Sequence, residues 1–275
     1  MGQTSSPGLG HEAMLKVVGS SVADIGCGSG VLGYLLRSAW HFTESWERDG
    51  VSAPDRLVGV DWSPATIEAL GRCNPLDELH LADSTGVPLP DNDVDTAISI
   101  ENLEHLLPDD VAPALAELAR IARKRIVLST PSPWSVVNPG FLEVELAEAE
   151  ADLAPMGYTE YVDLVGRLHK SSVTPEQMRA AGFESGVNRL GAPAVSPNGG
   201  AILYTADPAM VDVSPLGKVV GVPWSAYRVD DGRSDWRSEY VKAVQDSAAM
   251  PTPHAAPRLV KVSAVARGVR TGLRS

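Results

Sequence analysis

Three carboxylates stand at or near the ends of short apolar runs: Asp24 in VADI, Asp61 in VGVD and Asp83 in HLAD. At the carboxyl end of a buried parallel strand, an acid reaches the crevice where such sheets bind ligands. Asp24 there would repel a pyrophosphate and suit a positive amino group. Asp61 could accept both hydroxyls of a ribose. Asp83 could accept a hydrogen bond from an exocyclic adenine amine. The three make a trail for a cationic nucleoside without phosphate.

Between the first two acids lies a glycine loop that fits two patterns. Gly28-Ser29-Gly30-Val31-Leu32-Gly33 spells G-x-G-x-x-G, the dinucleotide fingerprint. Asp24 to Gly30 spells D-x-G-x-G-x-G in another frame. The first frame would run a strand through Gly26 and Cys27, which is poor strand material. The second ends the strand at Ile25, turns at Gly26 and accounts for Asp24. It demotes Gly33 to packing of the following helix on the sheet.

These residues need elements to hold them. Apolar runs at 21–25, 56–60, 78–82, 94–100 and 125–130 read as strands, with further strands over 183–190 and 200–206. Residues 31–40 read as a helix. Ser63-Pro64 opens another, with Ser as cap and Pro at the first helical position. Pro108 to Lys124 carries Val111, Leu115, Leu118 and Ala122 on one face, which predicts a helix over that span. Thr174-Pro175-Glu176-Gln177 is a capping box, and its helix should end near Gly182. Strands alternating with helices predict an α/β fold: a seven-stranded, mostly parallel Rossmann-like sheet with helices on both faces. A Pro/Gly/Asn-rich loop before the last strand predicts that this strand is antiparallel.

Two segments lengthen the connections, at 39–55 and 131–170. The second should hold a helix at 141–153 and cover the crevice with Trp134, Phe141, Tyr158 and Tyr161. The α/β unit is expected over 1–207. Residues 208–275 form an extension whose basic tail (247–275) reads as solvated chain or as a docking arm for a partner or a second copy.

The chain has 275 residues, 44% of them hydrophobic, and a formal net charge of −12. So acidic a body disfavours a nucleic-acid backbone. No apolar run is long enough for a membrane span. The N-terminal MGQTSSPGLGHEAM fits the loose acylation pattern at Gly2 but has neither a secretory leader nor a basic patch, so a cytoplasmic protein is expected. Cys27 and Cys73 form no C-x-x-C pair, and no His/Asp/Glu cluster has metal-ligand spacing, so no metal is expected.

In this order and spacing the motifs resemble those of class I S-adenosylmethionine (SAM)-dependent methyltransferases of the type 11 group. The match includes D-x-G-x-G-x-G and the acid after the second strand. It continues with Asp83, Pro88, Asp91 and Asp95 leading into the fourth strand, and with Leu103-Glu104-His105-Leu106. The stretch from His169 to Phe183 completes it. The resemblance implies SAM as cofactor. Gly26, Cys27, Gly28 and Gly30 would wrap its methionine part, with Asp24 near the amino group. Asp61 would hold the ribose, Trp62 would lie against the adenine, and Asp83 and Ser84 would meet the ring edge. Glu101 would face the reactive methyl, and Glu101 and His105 are the candidate bases.

Plainer readings stand beside these. Asp24 could cap the turn, Asp61 could serve the Ser63 helix, and Asp83 could be a loop acid. Cys27 reads first as packing, and His105 and His169 as loop residues. The absence of (D/N/S)-P-P-(Y/F/W) after the fourth strand, where the chain reads IENLEH, favours a small-molecule acceptor. The alternatives are a nucleic-acid or protein methyltransferase, a non-catalytic regulatory subunit on the same fold and, last, an NAD(P)-dependent oxidoreductase.

Overall fold

The computed structural model describes residues 7–43, 54–72, 74–131, 169–185 and 201–221. Helix α1 (Pro7–Met14) precedes strand β1 (Ser21–Ile25), helix α2 (Val31–Thr43), strand β2 (Arg56–Asp61), helix α3 (Pro64–Arg72) and strand β3 (Glu78–Leu81). Strand β4 (Val94–Ser99), helix α4 (Val111–Ile121) and strand β5 (Ala122–Pro131) follow. After these come β6 (Ser171–Ser172), helix α5 (Pro175–Ala180), β7 (Glu184–Ser185), β8 (Ala201–Ala206) and β9 (Val220–Gly221). The expected helix at 141–153, the aromatic lid residues, Cys73, Gly2 and the 247–275 tail lie outside the described residues.

Seven strands form one sheet in the order β3-β2-β1-β4-β5-β8-β7. Pairs among β1 to β5 are parallel, and β8 runs antiparallel to both β5 and β7. The order steps outward from β1 to β3, then restarts on the other side of β1 with β4. That switch point opens a crevice at the carboxyl ends of β1 and β4, where α/β sheets take their ligands.

The strands are apolar on both faces because helices cover both. On one side Val22, Leu57, Ile98 and Val127 pack with Leu9 and Ala13 of α1, Leu32 and Leu36 of α2, and Ile67 and Leu70 of α3. On the other side Ala23, Val58, Ala97 and Ile126 pack with Leu115 and Leu118 of α4 and Met178 of α5. Neighbouring strand residues thus fall into opposite clusters, as the period of two requires. Leu216 and Val219 join the second cluster, so the chain just beyond residue 207 packs on the same core.

One boundary departs from the periodicity. The helix expected to run to Lys124 stops at Ile121, and β5 starts at once with Ala122 opposite Val94. Arg123 and Lys124 are taken by tertiary partners. Both reach Asp95 Oδ1, at 3.2 and 3.1 Å, and Arg123 also donates to the carbonyls of Asn92 and Asp93. Burial raises the Asp95 pKa, but the Ser20 N–H, Lys124 and Arg123 outweigh it and hold the carboxyl well below the usual range. Asp91 in turn pairs with Arg120, whose guanidinium also holds the carbonyls of Val87 and Leu89. The last two acids of the Asp83–Asp95 motif therefore brace the amino ends of the strands, away from the crevice.

The Thr174 capping box forms in full: Thr174 Oγ1 accepts from the Gln177 N–H, and Gln177 Oε1 accepts from the Thr174 N–H. A small second sheet, β6 against β9, has no counterpart in the sequence reading. Two-residue strands carry no periodicity to read.

Candidate functional site

Ile25 ends β1, and the chain turns through three glycines in the left-handed region: Gly26 (φ 79°), Gly28 (φ 50°) and Gly30 (φ 72°). Each has a different surrounding. A Cβ on Gly26 would lie 2.5 Å from the Asn102 amide, and one on Gly30 would lie 2.8 Å from Leu70 Cδ2. A Cβ on Gly28 would have nothing nearer than the Gly26 carbonyl oxygen at 4.0 Å. Open space at that one position makes a cradle for a ligand atom. Gly33 faces inward, where a Cβ would meet Leu76 at 2.8 Å and Pro75 at 2.9 Å. It is a packing glycine, as the D-x-G-x-G-x-G frame requires.

Asp61 closes β2 and is buried. Its Oδ2 accepts from the Gly28 N–H at 2.9 Å and its Oδ1 from the Ser63 N–H at 2.9 Å. The carboxylate thus ties the glycine loop to the start of α3, where Ser63 Oγ accepts from the Thr66 N–H. Trp62 follows, half-buried. Asp24, next to last in β1, is 3% exposed. Burial first, and the charge of Asp61 second, push its pKa from 3.8 up to about 7. The Cys27 thiol is pushed up for the same reasons, and its sulfur is buried against Gly59.

Asp83 accepts from both the N–H and the hydroxyl of Thr85 through Oδ1, at 2.8 and 2.6 Å. Its turn-forming role is therefore real, and it engages only one of the two oxygens. Ser84 is buried, and its Oγ accepts from Asn102 Nδ2 at 3.1 Å. The same Nδ2 reaches Ser99 Oγ at 3.1 Å, and Ser99 donates to the Ile25 carbonyl at 3.0 Å. Asn102 thus joins the ends of β1, β3 and β4 across the crevice. The sequence reading missed it, because Ser84 stands 18 residues away and Ile25, reached through Ser99, lies further still.

Glu101 follows β4 with φ 50°, a conformation that costs a non-glycine residue about 1 kcal/mol or more. Ser129 holds it there. The Glu101 N–H donates to Ser129 Oγ at 3.0 Å, and that hydroxyl donates to Glu101 Oε1 at 2.7 Å. His105 goes elsewhere. Its ring lies 5.0 Å from that of His169, beside the buried Glu104.

The site therefore gathers Asp24, the glycine loop, Asp61, Ser84, Glu101 and Asn102 at the switch point. That arrangement on this sheet is the class I methyltransferase fold. Residues 23–128 match the family model described as Methyltransferase domain. They are a SAM-dependent methyltransferase domain of the type 11 group, and SAM is its cofactor.

Three solved structures are similar to this chain. One is the YcgJ protein of Bacillus subtilis (17% identity, 73% of this chain and 97% of that one, TM-score 0.43). Another is a TehB-like SAM-dependent methyltransferase of Corynebacterium glutamicum (16%, 72% and 86%, 0.41). The third is magnesium protoporphyrin IX methyltransferase of Synechocystis with bound SAH (17%, 72% and 83%, 0.38). No curated protein is significantly similar in sequence. No helix among the described residues is long and apolar enough to cross a membrane.

The residues present fit SAM. A carboxylate buried at the crevice end of β1 suits a ligand that carries an ammonium group, and the open cradle at Gly28 gives it room. The two glycines also divide cleanly in their expected effects. Gly28→Ala should weaken SAM binding severely at a stability cost of about 1 kcal/mol. Gly33→Ala should cost about 1–3 kcal/mol of stability through overpacking and leave SAM affinity close to wild type. Calorimetry with SAM and thermal melts on both variants check this. A reversed pattern would restore the dinucleotide frame.

Proposed function

We propose that this chain transfers the methyl group of SAM to a small-molecule acceptor. The observation that carries the reading is Asp24, a carboxylate buried at the crevice end of β1 beside the open cradle at Gly28. In this reading Asp24 holds the amino group, Gly26, Gly28 and Gly30 let the backbone wrap the methionine part, and Cys27 packs beneath. Asp61 takes the ribose. A carboxylate accepts about four hydrogen bonds, so two backbone donors and a diol can share one. Trp62 lies on the adenine, and Asp83 and Ser84 meet its edge.

Bound SAM supplies an electrophilic methyl on a positive sulfur. The protein then has to align the acceptor and keep water out. In this reading Glu101, which follows β4 and is held by Ser129, orients the acceptor and takes its proton. His105, the other candidate base, sits with Glu104 and His169 instead.

The small-molecule acceptor is favoured by the net charge of −12 and by IENLEH in place of a base-methylating signature. The segment 131–170 is proposed as the acceptor lid. A reducing, cytoplasmic setting fits two cysteines that form no C-x-x-C pair. A cell extract incubated with methyl-labelled SAM and the protein tests the reading. Label is expected in the small-molecule fraction. Label confined to precipitated RNA, DNA or protein would overturn the acceptor class. SAM binding without any transfer would favour the non-catalytic alternative.

A further inference from the structure

Beyond the SAM crevice, the fold brings together, among the described residues, one group with metal-ligand chemistry that sequence spacing hides. Glu104, His105 and His169 each offer a ligand atom, and these atoms lie within 4.8 Å of one another. His105 Nε2 is 3.9 Å from Glu104 Oε1, and the two imidazole rings are 5.0 Å apart with planes inclined at 41°. Glu104 is 1% exposed, while both histidines are partly open to solvent.

The backbone holds these residues firmly. Leu103–His105 is a single 3-10 turn. Against it lies the segment leading into β6. The Lys170 N–H donates to the Glu104 carbonyl at 2.6 Å, Ser171 Oγ to the Leu103 carbonyl at 2.9 Å, and Lys170 Nζ to the His105 carbonyl at 2.8 Å. β9 then closes over β6. Three hydrogen bonds thus bind two segments that are remote in sequence and fix the backbone from which the three side chains project.

We propose that Glu104, His105 and His169 form a site for one first-row divalent transition ion of the zinc or cobalt class. Two imidazoles and one carboxylate suit such ions and poorly suit magnesium or calcium. Ligand atoms about 2.1 Å from a tetrahedral ion stand about 3.4 Å apart, so small side-chain rotations would close the set. Three protein ligands leave at least one position for water. The turn begins two residues beyond Glu101 in the chain. The site does not depend on the methyl-transfer reading.

The test uses the full chain without a polyhistidine tag, stripped with chelator and titrated with Co2+. Visible d–d bands saturating at about one ion per chain are expected, with X-ray absorption of the Zn2+ form showing two imidazoles in the first shell. His105→Gln and His169→Gln should each weaken Co2+ binding at least about 100-fold, since loss of an outer-shell partner alone costs 10–100-fold. SAM affinity, measured in parallel, reports that the variants fold. Wild-type protein without a saturable Co2+ spectrum, a Zn2+ shell without imidazole, or variants that bind like wild type would each overturn the site. Failure of wild-type protein to bind SAM would instead sink the proposed function and leave the metal result standing.

Discussion

Asp24→Asn should make the ligand-free protein more stable and a poorer binder of SAM. Unfolded, the Asp24 carboxyl titrates at its ordinary 3.8; folded, it titrates at about 7, first through burial and then through the charge of Asp61. Between those values the native state holds the extra proton. Stability therefore falls as pH rises through that window, and the full cost stands above about 7. A neutral amide of the same shape removes the cost. At about pH 8 the variant should gain roughly 2–4 kcal/mol, and near pH 4 almost nothing.

Affinity should move the other way. Losing a charge-assisted contact to the ligand ammonium should weaken SAM binding about 10- to 150-fold. Wild-type affinity should rise between about pH 6 and 7, with a proton released to buffer on binding, because the ligand favours the ionised carboxylate. Asp24→Asn should lose both effects. Melts at the two pH values, and calorimetry in buffers of different ionisation enthalpy, check this. A variant with wild-type affinity and pH profile would move the amino group away from Asp24.

Asp61→Ala should damage fold and binding together. It strips the acceptor from the Gly28 and Ser63 N–H groups, each bound to a charged oxygen at 2.9 Å. Solvent can reach part of the opened site, so a stability loss of about 2–4 kcal/mol is expected. SAM binding should weaken by a further 1–3 kcal/mol, roughly, from the ribose alone. The substitution also removes a charge that raises the Asp24 pKa. Whatever SAM binding remains should therefore show its pH dependence at lower pH than in wild-type protein. Asp61→Asn, which keeps one acceptor oxygen, should fall between. Undiminished SAM affinity in Asp61→Ala would place the ribose elsewhere.

Most of the sheet was legible because both-face burial leaves continuous apolar runs between capped helices. β1 has the expected bounds, and β2 to β4 each shift by one residue at the carboxyl end. The frame of the glycine loop was legible from Asp24, and the packing of Gly33 against Leu76 and Pro75 agrees with it. What stayed hidden depends on partners distant in sequence. Arg123 and Lys124 look helical until Asp95 claims them. Asn102 and Ser129 are unremarkable letters until β1, β3, β4 and β5 lie side by side. The pairing of His105 with His169 needs the 170–172 segment to dock on the turn after β4.

That docking has a consequence for the order of events on the ribosome. β1, β2 and β4, which carry the glycine loop, Asp61 and the neighbouring crevice wall, are complete in the nascent chain by Ser99. The histidine pair needs residue 169, and the β9 strand that clasps its segment ends at Gly221. At translation rates of roughly 5–20 residues per second, the clasp follows the first strands by about 6–24 seconds. The two halves of the molecule's chemistry are therefore born at different times, and the second cannot close before the chain has been made through Gly221.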